Sequence, residues 1–479
     1  MSALVWFRSD LRVDDNAALH HALNREGAQC RAAAVYYATP EQWREHNMAP
    51  VKAEFLWRNL VCLQESLARI NVPLRVRVLP RFGDIADDLL ALCAELHCDA
   101  VFTNREYAID EVHRDENIAR QLAVRQIAWC SYDDATLLPP RTLLTQQGQP
   151  YKVFTPFKRA LLERIGDSAV QCFAENASVA LHTNSARRKK TELWHEAPPL
   201  PAYPYETSSV PADFWPAGED AAAMRLGQFI AGAIDNYKAL RDIPAADATS
   251  RLSPYLALGV ISIRRCVEAA LAVNAGQWQG GSEGVATWLN ELLWREFYLH
   301  VLAQFPRVSM HRPLRSETEN VRWRDDEKDF SAWCNGRTGF PLVDAAMRQL
   351  VQTGWMHNRL RMVCAMFLSK YLLLDWRRGE QFFMRHLIDG DLAANNGGWQ
   401  WSASTGTDAA PYFRLLSPVR QMERFDADAR FCKQFLPELG ALDAKILAQP
   451  GHPELLQAGY PPPLIDLKFA RERALQAFA

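Results

Sequence analysis

Apolar positions along the first 132 residues come in short runs, separated by amphipathic stretches. Residues 3–7, 32–37, 74–79, 100–103 and 127–131 are β-rich and short, so they read as strands. Between them, residues 53–70 and 85–96 carry apolar side chains at helical spacing. This alternation predicts an α/β domain over residues 1–132, a Rossmann-like parallel sheet with helices on both faces. The G-x-G-x-x-G fingerprint is absent, so this half is not expected to hold a pyrophosphate in the usual dinucleotide manner. Residues 133–220 change character: Pro139, Pro140, Pro198, Pro199, Pro201, Pro204, Pro211 and Pro216 punctuate them. They read as a long surface connector with a helix near 156–164. The basic cluster Arg187, Arg188, Lys189 and Lys190 reads first as a solvated face, second as a glancing nucleic-acid contact. From residue 221 to 479 an all-α domain is expected. Nine of the fifteen Trp fall between Trp278 and Trp401, so the aromatic chemistry is concentrated in the helical half.

Composition narrows the class. A chain of 479 residues predicts two or three folding units. With 48% hydrophobic and 23% charged residues, the composition is that of a soluble globular protein. The formal net charge is −2, so any nucleic-acid binding must come from a local basic patch. The ten Cys are scattered without a C-x-x-C pair, which excludes the usual zinc and iron–sulfur spacings, and no metal is expected. Reduced thiols, the lack of a signal peptide at the N-terminus and the lack of an eighteen-residue apolar run together predict a cytoplasmic protein.

One stretch is odd for a core and odd for a surface. In Asp389–Gly390–Asp391–Leu392–Ala393–Ala394–Asn395–Asn396–Gly397–Gly398–Trp399–Gln400–Trp401, two acids flank a Gly, two Asn precede two Gly, and two Trp stand one residue apart. Asn and Gly tolerate unusual backbone conformations, so this reads as a tightly shaped loop between helices. Its acceptors and indoles suit a flat, hydrogen-bonding aromatic ligand; a buried turn with aromatic packing is the plainer alternative.

The run DGDLAANNGGWQWSASTGTDAAPYFR (389–414), WLNELLWREFY (288–298), GWMHNRLRM (354–362), TSRLS (249–253) and VWFRSDLRVDDN (5–16) resembles the photolyase/cryptochrome family. The match is nearest to bacterial class I cyclobutane pyrimidine dimer DNA photolyases. It spans nearly the whole chain, most weakly at about 165–220 and after about 425. The resemblance implies FAD inside the helical domain. Asp389, Gly390 and Asp391 would meet the flavin ring and ribose, and Arg361 would pair with an acid at the ring edge. Asn395 would face flavin N5. Tyr237, Leu252, Trp288, Glu291, Arg295 and Asn358 resemble further pocket residues. Ser253–Pro254 reads as an N-cap followed by a first-turn proline, with Gly259 as C-cap. Thr249, Ser250 and Arg251 before it suit a diphosphate, although a plain capped helix is the better reading of that segment taken alone. Trp288, Glu291 and Arg295, at 0, +3 and +7, share one helix face.

The same resemblance implies a lesion pocket lined by Trp294, Tyr298, Trp401 and Met362. Glu291 and Asn358 would hydrogen-bond the flipped pyrimidine pair, with Glu291 acting best as a protonated donor. Arg359 would meet its phosphate, and Arg414 also belongs to the DNA-binding set. Relatives that repair (6-4) photoproducts commonly carry His at the Met362 position, so Met362 argues for the cyclobutane substrate. The implied chemistry is light-driven electron transfer from reduced flavin to the dimer and back. The substrate would be damaged DNA, single- or double-stranded, with the dimer flipped out of the helix, a behaviour general to photolyases.

Trp399, Trp376 and Trp323 match the family's electron relay from flavin to surface. His46, Asp110 and Glu111 resemble positions around an antenna chromophore, methenyltetrahydrofolate first and a deazaflavin second. Asp110, Ser309 and Met310 depart from the folate pattern, where Asn, Cys and Lys occur. A blue-light receptor of cryptochrome type is the competing reading. Asn395, the apparently complete lesion pocket and a chain ending at Ala479 without a long polar tail lean against it. A monomer with no membrane segment is expected.

Overall fold

The computed structural model describes residues 2–25, 31–166, 172–173, 197–407 and 413–478. The basic cluster at 187–190 lies outside them. Five parallel strands form one sheet in the order β3-β2-β1-β4-β5: β1 (Ser2–Phe7), β2 (Arg31–Ala38), β3 (Leu74–Val78), β4 (Ala100–Asn104) and β5 (Ala128–Tyr132). Val5 pairs with Ala34 on one side and Phe102 on the other, so β1 is central. α1 (Ala17–Leu23), α2 (Pro50–Arg69), α3 (Ile85–Glu95) and α4 (Ile109–Val124) connect the strands. Central strands buried on both faces explain the continuous apolar run at residues 3–7. The strand order reverses between β1 and β4, and ligands of such sheets collect beyond the carboxyl ends at that crevice.

The connector's helix α5 spans Phe154–Ile165. Glu296, buried on the long helix spanning Glu283–Gln304, accepts the N–H groups of Leu137 and Leu138 and so pins the connector to the helical half. The helical half includes α6 (Ile263–Val273), α7 (Glu283–Gln304), α8 (Asn358–Met366), α9 (Trp376–Met384) and α10 (Leu392–Ser402).

The two halves share a core. One apolar cluster runs from Ala3 and Phe55 of the sheet domain to Phe229, Tyr255, Val267 and Trp288 of the helical part. A second, wholly helical cluster contains Trp333, Trp376 and Trp399. Buried charges lock the seam. Arg264 of α6 holds Asp15 at 2.8 Å and Asp134 at 2.6 Å, and Arg12 pairs with Asp134. Satisfying each other, these ions avoid the cost of a lone buried charge. Gly259 has φ +62°, and a Cβ there would come within 2.2 Å of the Ser9 carbonyl oxygen. Only Gly permits this close approach of the two halves.

Candidate functional site

The expected loop at 389–401 is a turn followed by a helix. Only residues 389–391 turn; α10 begins at Leu392, with the Asp391 side chain accepting from the Ala394 N–H at 2.9 Å. A strong acidic cap and three good helix formers start it, and tertiary contact carries it through the two Gly. Gly397 is required there, since a Cβ would meet the Tyr298 ring at 2.2 Å. Arg361 of α8 grips Asp389 with one nitrogen at 3.1 and 2.8 Å. The Asp389 side chain is 3% exposed, that of Arg361 26%. Lys52 of α2 reaches across the seam and donates to the Gly390 carbonyl at 2.5 Å.

Asn395 is buried in α10. Its amide nitrogen donates to the Glu380 carbonyl at 3.0 Å and reaches the Glu380 carboxylate at 3.5 Å. The amide oxygen is therefore turned away from Glu380, available as an acceptor. Burial pushes the Glu380 carboxyl up to about 7, against the opposing pull of Asn395 and Asn396. A carboxyl raised by folding stabilises the native state fully below its ordinary value near 4.5 and loses that contribution as pH rises to about 7. Glu380→Gln is accordingly expected to flatten the decline in stability across that window, by up to about 3 kcal/mol above pH 7. Thermal melts at pH 5 and pH 8 check it; parallel pH profiles for both proteins would contradict it.

The Trp288, Glu291 and Arg295 side chains share a helix face but find different partners. Trp288 packs against Phe229 in the shared core. Glu291 accepts from Arg241 at 2.6 Å. Arg295 donates to the carbonyls of Ala135 at 2.9 Å and Leu256 at 3.3 Å, on the seam. The Arg241 pairing replaces the expected donor role of Glu291 with that of an acceptor. Tyr237 is buried beneath the Arg241 guanidinium, 5.3 Å from its ring centre. Asp242 pairs with Arg359 at 2.6 Å, and Arg359 also lies 4.5 Å over Phe425. Asn358 is exposed at the start of α8, where the His357 side chain caps the Arg359 N–H, and Met362 is half-buried one turn on. These pairings tie residues 237–242, α7, α8 and the 389–391 turn into one ring of side chains.

Thr249 and Ser250 are half-buried, and Arg251 adopts a left-handed backbone at φ +49°. Arg251 pairs with Asp247 at 3.0 Å and stands 5.5 Å over Trp355. The Ser253 cap is not formed. The five-residue helix Ser253–Ala257 has buried Leu252 at its cap position, and Ser253 is exposed. So short a turn has little dipole to offer a diphosphate.

Trp294 stacks face to face on Phe154 of α5 at 3.7 Å and lies 5.8 Å from Tyr298. Trp401, at the end of α10, carries the Arg414 guanidinium 5.0 Å over its ring. Trp399 and Trp376 are buried, and Trp323 is half-buried beside Phe478. Trp399 packs on Gly379, one helical turn from Trp376: a Cβ on Gly379 would lie 2.2 Å from the indole. The strand-like contact of Arg324 with Leu374 brings Trp323 alongside the residues preceding Trp376. Trp399 also meets the buried ring of Trp333 at 6.0 Å.

A cavity of about 320 Å³ opens between the carboxyl ends of the strands and the helical half. His46 stands 3.1 Å from Asp110 and 3.6 Å from Glu111 at its wall, with Ser309 and His311 nearby. Arg8, Lys52 and Glu106 also line it. Sequence reasoning missed Glu380, Lys52 and Glu106. Nothing local marks them, because their roles arise from contacts between distant elements.

The ring of side chains fits FAD. The buried Trp399 Nε1 and Arg251 Nε find no partner among the described residues, so two donors await acceptors. Ala394 of α10 is exposed between buried Ala393 and Asn395. Asp389, Asp391 and the Asn395 oxygen supply acceptors for a ring and ribose. No described helix is long and apolar enough to cross a membrane, and no described group of His, Cys, Asp and Glu could hold a metal ion.

Residues 3–175 match the family model for DNA photolyase, and residues 288–479 match the FAD binding domain of DNA photolyase. The chain is 43% identical to the deoxyribodipyrimidine photo-lyase of Vibrio cholerae over 476 residues, covering 99% of this chain and 98% of that protein. It is 43% identical to the enzyme of the same name from Escherichia coli, with the same coverage. A class III photolyase from Agrobacterium tumefaciens superposes with a TM-score of 0.83 at 34% identity, over 100% of this chain and 97% of that one. A Synechocystis cryptochrome superposes with a TM-score of 0.84 at 27% identity, over 99% of each. With matched models across most of its length and full-length relatives at this identity, the chain belongs to the DNA photolyase family.

Proposed function

We propose that this protein repairs cyclobutane pyrimidine dimers in DNA in a light-dependent reaction, as a deoxyribodipyrimidine photo-lyase. The observation that carries the reading is the juxtaposition of the FAD-fitting ring with exposed Asn358, half-buried Met362 and the Arg359 cation on one helix, α8. Bound, reduced FAD supplies the photoexcited electron that opens the cyclobutane ring. The protein's own part is binding and orientation. Asp389, fixed by Arg361, and the Asn395 acceptor, fixed by Glu380, orient the ring system. Glu291 accepts an imide N–H from the dimer, and Asn358 supplies both a donor and an acceptor to its carbonyl edges. Met362 gives the dimer an apolar wall without an acid, which suits a ring opening that needs no proton. Trp294 and Trp401 offer apolar faces to two linked pyrimidines that have lost their stacking.

Arg359 and neighbouring cations hold the strand. Its pairing with Asp242 keeps the guanidinium oriented until a phosphate competes for it. Affinity for damaged DNA should fall with salt, and Arg359→Ala should lower the slope of log affinity against log salt by about one unit. Fluorescence anisotropy on a dimer-containing oligonucleotide across a salt series gives that slope; an unaltered value would place Arg359 off the phosphates. The activity itself is tested by repair in light against repair in darkness.

The antenna reading is methenyltetrahydrofolate, supported by His46, Asp110 and Glu111 meeting at the cavity wall. A deazaflavin is the second reading. It is favoured by the cavity's inward reach to Lys52, Glu106 and Arg8, and by an acidic wall that opposes a polyglutamate tail. Mass analysis of the extracted chromophore separates them. The proposed form is a cytoplasmic monomer acting on DNA.

A further inference from the structure

Lys370 is fully buried, an unusual place for an ammonium group. It lies on the π-helical turn Phe367–Tyr371 that continues α8, the helix of Asn358, Arg359 and Met362. Its Nζ donates to the Ser404 hydroxyl at 2.8 Å and to the Arg414 carbonyl at 2.6 Å, and stands 4.5 Å over the Phe413 ring. Ser404 adopts a left-handed backbone at φ +59°, just beyond the end of α10. Arg414 in turn places its guanidinium over Trp401. One buried cation thus ties together the exit of α10 and the residue that covers its final indole, from the turn that continues the helix of Asn358, Arg359 and Met362. Neither the flavin ring of side chains nor the electron relay uses Lys370.

We propose that Lys370 is a positioning residue for lesion recognition: it fixes the Arg414 backbone so that the guanidinium stays on Trp401 and the two together form one wall of the dimer pocket. The inference rests on the reading of Arg414 and Trp401 as DNA-binding residues. A charge-assisted hydrogen bond is strong and directional, which suits holding a loop in one register. Burying the cation beneath an aromatic ring keeps water from competing for it.

The test is a double-mutant cycle on the holoenzyme, read as affinity for one oligonucleotide with and without a thymine dimer. Lys370→Met should weaken binding of the dimer-containing DNA about tenfold and leave undamaged DNA unchanged. In an Arg414→Ala background, Lys370→Met should add no more than about a twofold further loss, because its effect passes through Arg414. Equal losses for both DNAs, or full additivity with Arg414→Ala, would overturn the proposal. If Arg414→Ala alone binds both DNAs as the unaltered protein does, the reading of Arg414 fails instead, and the two failures are distinct. Should Lys370→Met lose its flavin, Ser404→Ala removes one tie while keeping the cation paired; it should cost the dimer-containing DNA about threefold, again only when Arg414 is present. Ser404→Ala binding unchanged, or weakened regardless of Arg414, would likewise overturn the proposal.

Discussion

Trp323→Phe is expected to abolish light-driven reduction of the bound FAD by an external thiol, while repair by chemically reduced enzyme continues. Trp399 and Trp376 are buried, so neither can exchange an electron directly with a reductant in solution. Trp323 is half-buried in a charged surface segment and is the one member of the proposed relay that can. A phenyl ring is much harder to oxidise than an indole, so the substitution removes the terminal donor while keeping an aromatic ring against Phe478. The oxidised indole then stays near the flavin and is refilled from it before the thiol acts. Repair is spared because its electron starts on the reduced cofactor and does not use the relay. The branch to Trp333 does not rescue the variant: its ring touches Trp399 at 6.0 Å, but it is fully buried with its N–H on the Cys364 carbonyl at 3.2 Å. Steady illumination with thiol, followed by flavin absorbance, measures the effect. Undiminished photoreduction would mean another exit from the protein. Loss of both photoreduction and repair would mean that Trp323 is structural.

Arg361→Ala should be as severe for cofactor retention. Asp389 keeps only 3% of its side chain exposed, and both of its oxygens are held by one Arg361 nitrogen. Removing the guanidinium leaves a buried carboxylate without its ion partner, a change that typically costs about 3–5 kcal/mol. That cost falls on the 389–391 turn, whose Asp391 caps α10 and whose residues are proposed to hold the cofactor. Affinity for FAD should therefore drop at least about a hundredfold. Equilibrium titration of FAD into deflavinated protein measures it. Arg361→Lys, which keeps the charge but loses the Nε donor to the Met356 carbonyl, should recover part of the loss. Retention of FAD by Arg361→Ala at the original affinity would show that Asp389 acts without its partner.

The sheet was legible in the sequence because buried parallel strands are continuous apolar runs. Residues 3–7 and 100–103 differ from the observed β1 and β4 by one residue at one end. The 389–401 stretch reads as a loop from the local propensities of Asn and Gly, yet most of it is helix. The cap from Asp391 and the close contact of Gly397 with Tyr298 outweigh them. Ser253 was misplaced as a cap for a related reason, since a five-residue turn needs no side-chain cap to persist in a packed core. Side chains at motif positions such as Asp389, Arg361 and Asn395 were legible through resemblance. Their supports were not: Glu380 and Lys52 come from elements far away in sequence, and only folding brings them to the site.

The central claim is tested most directly on an oligonucleotide carrying a single thymine dimer, mixed with the reduced holoenzyme and divided between light and darkness. The account predicts that the illuminated sample returns two intact thymines with many turnovers per enzyme, and that the dark sample binds the DNA but leaves the dimer unchanged. Binding without reversal in light, by protein that holds reduced FAD, would contradict it and favour a light receptor. Reversal in darkness would contradict the light-driven mechanism itself.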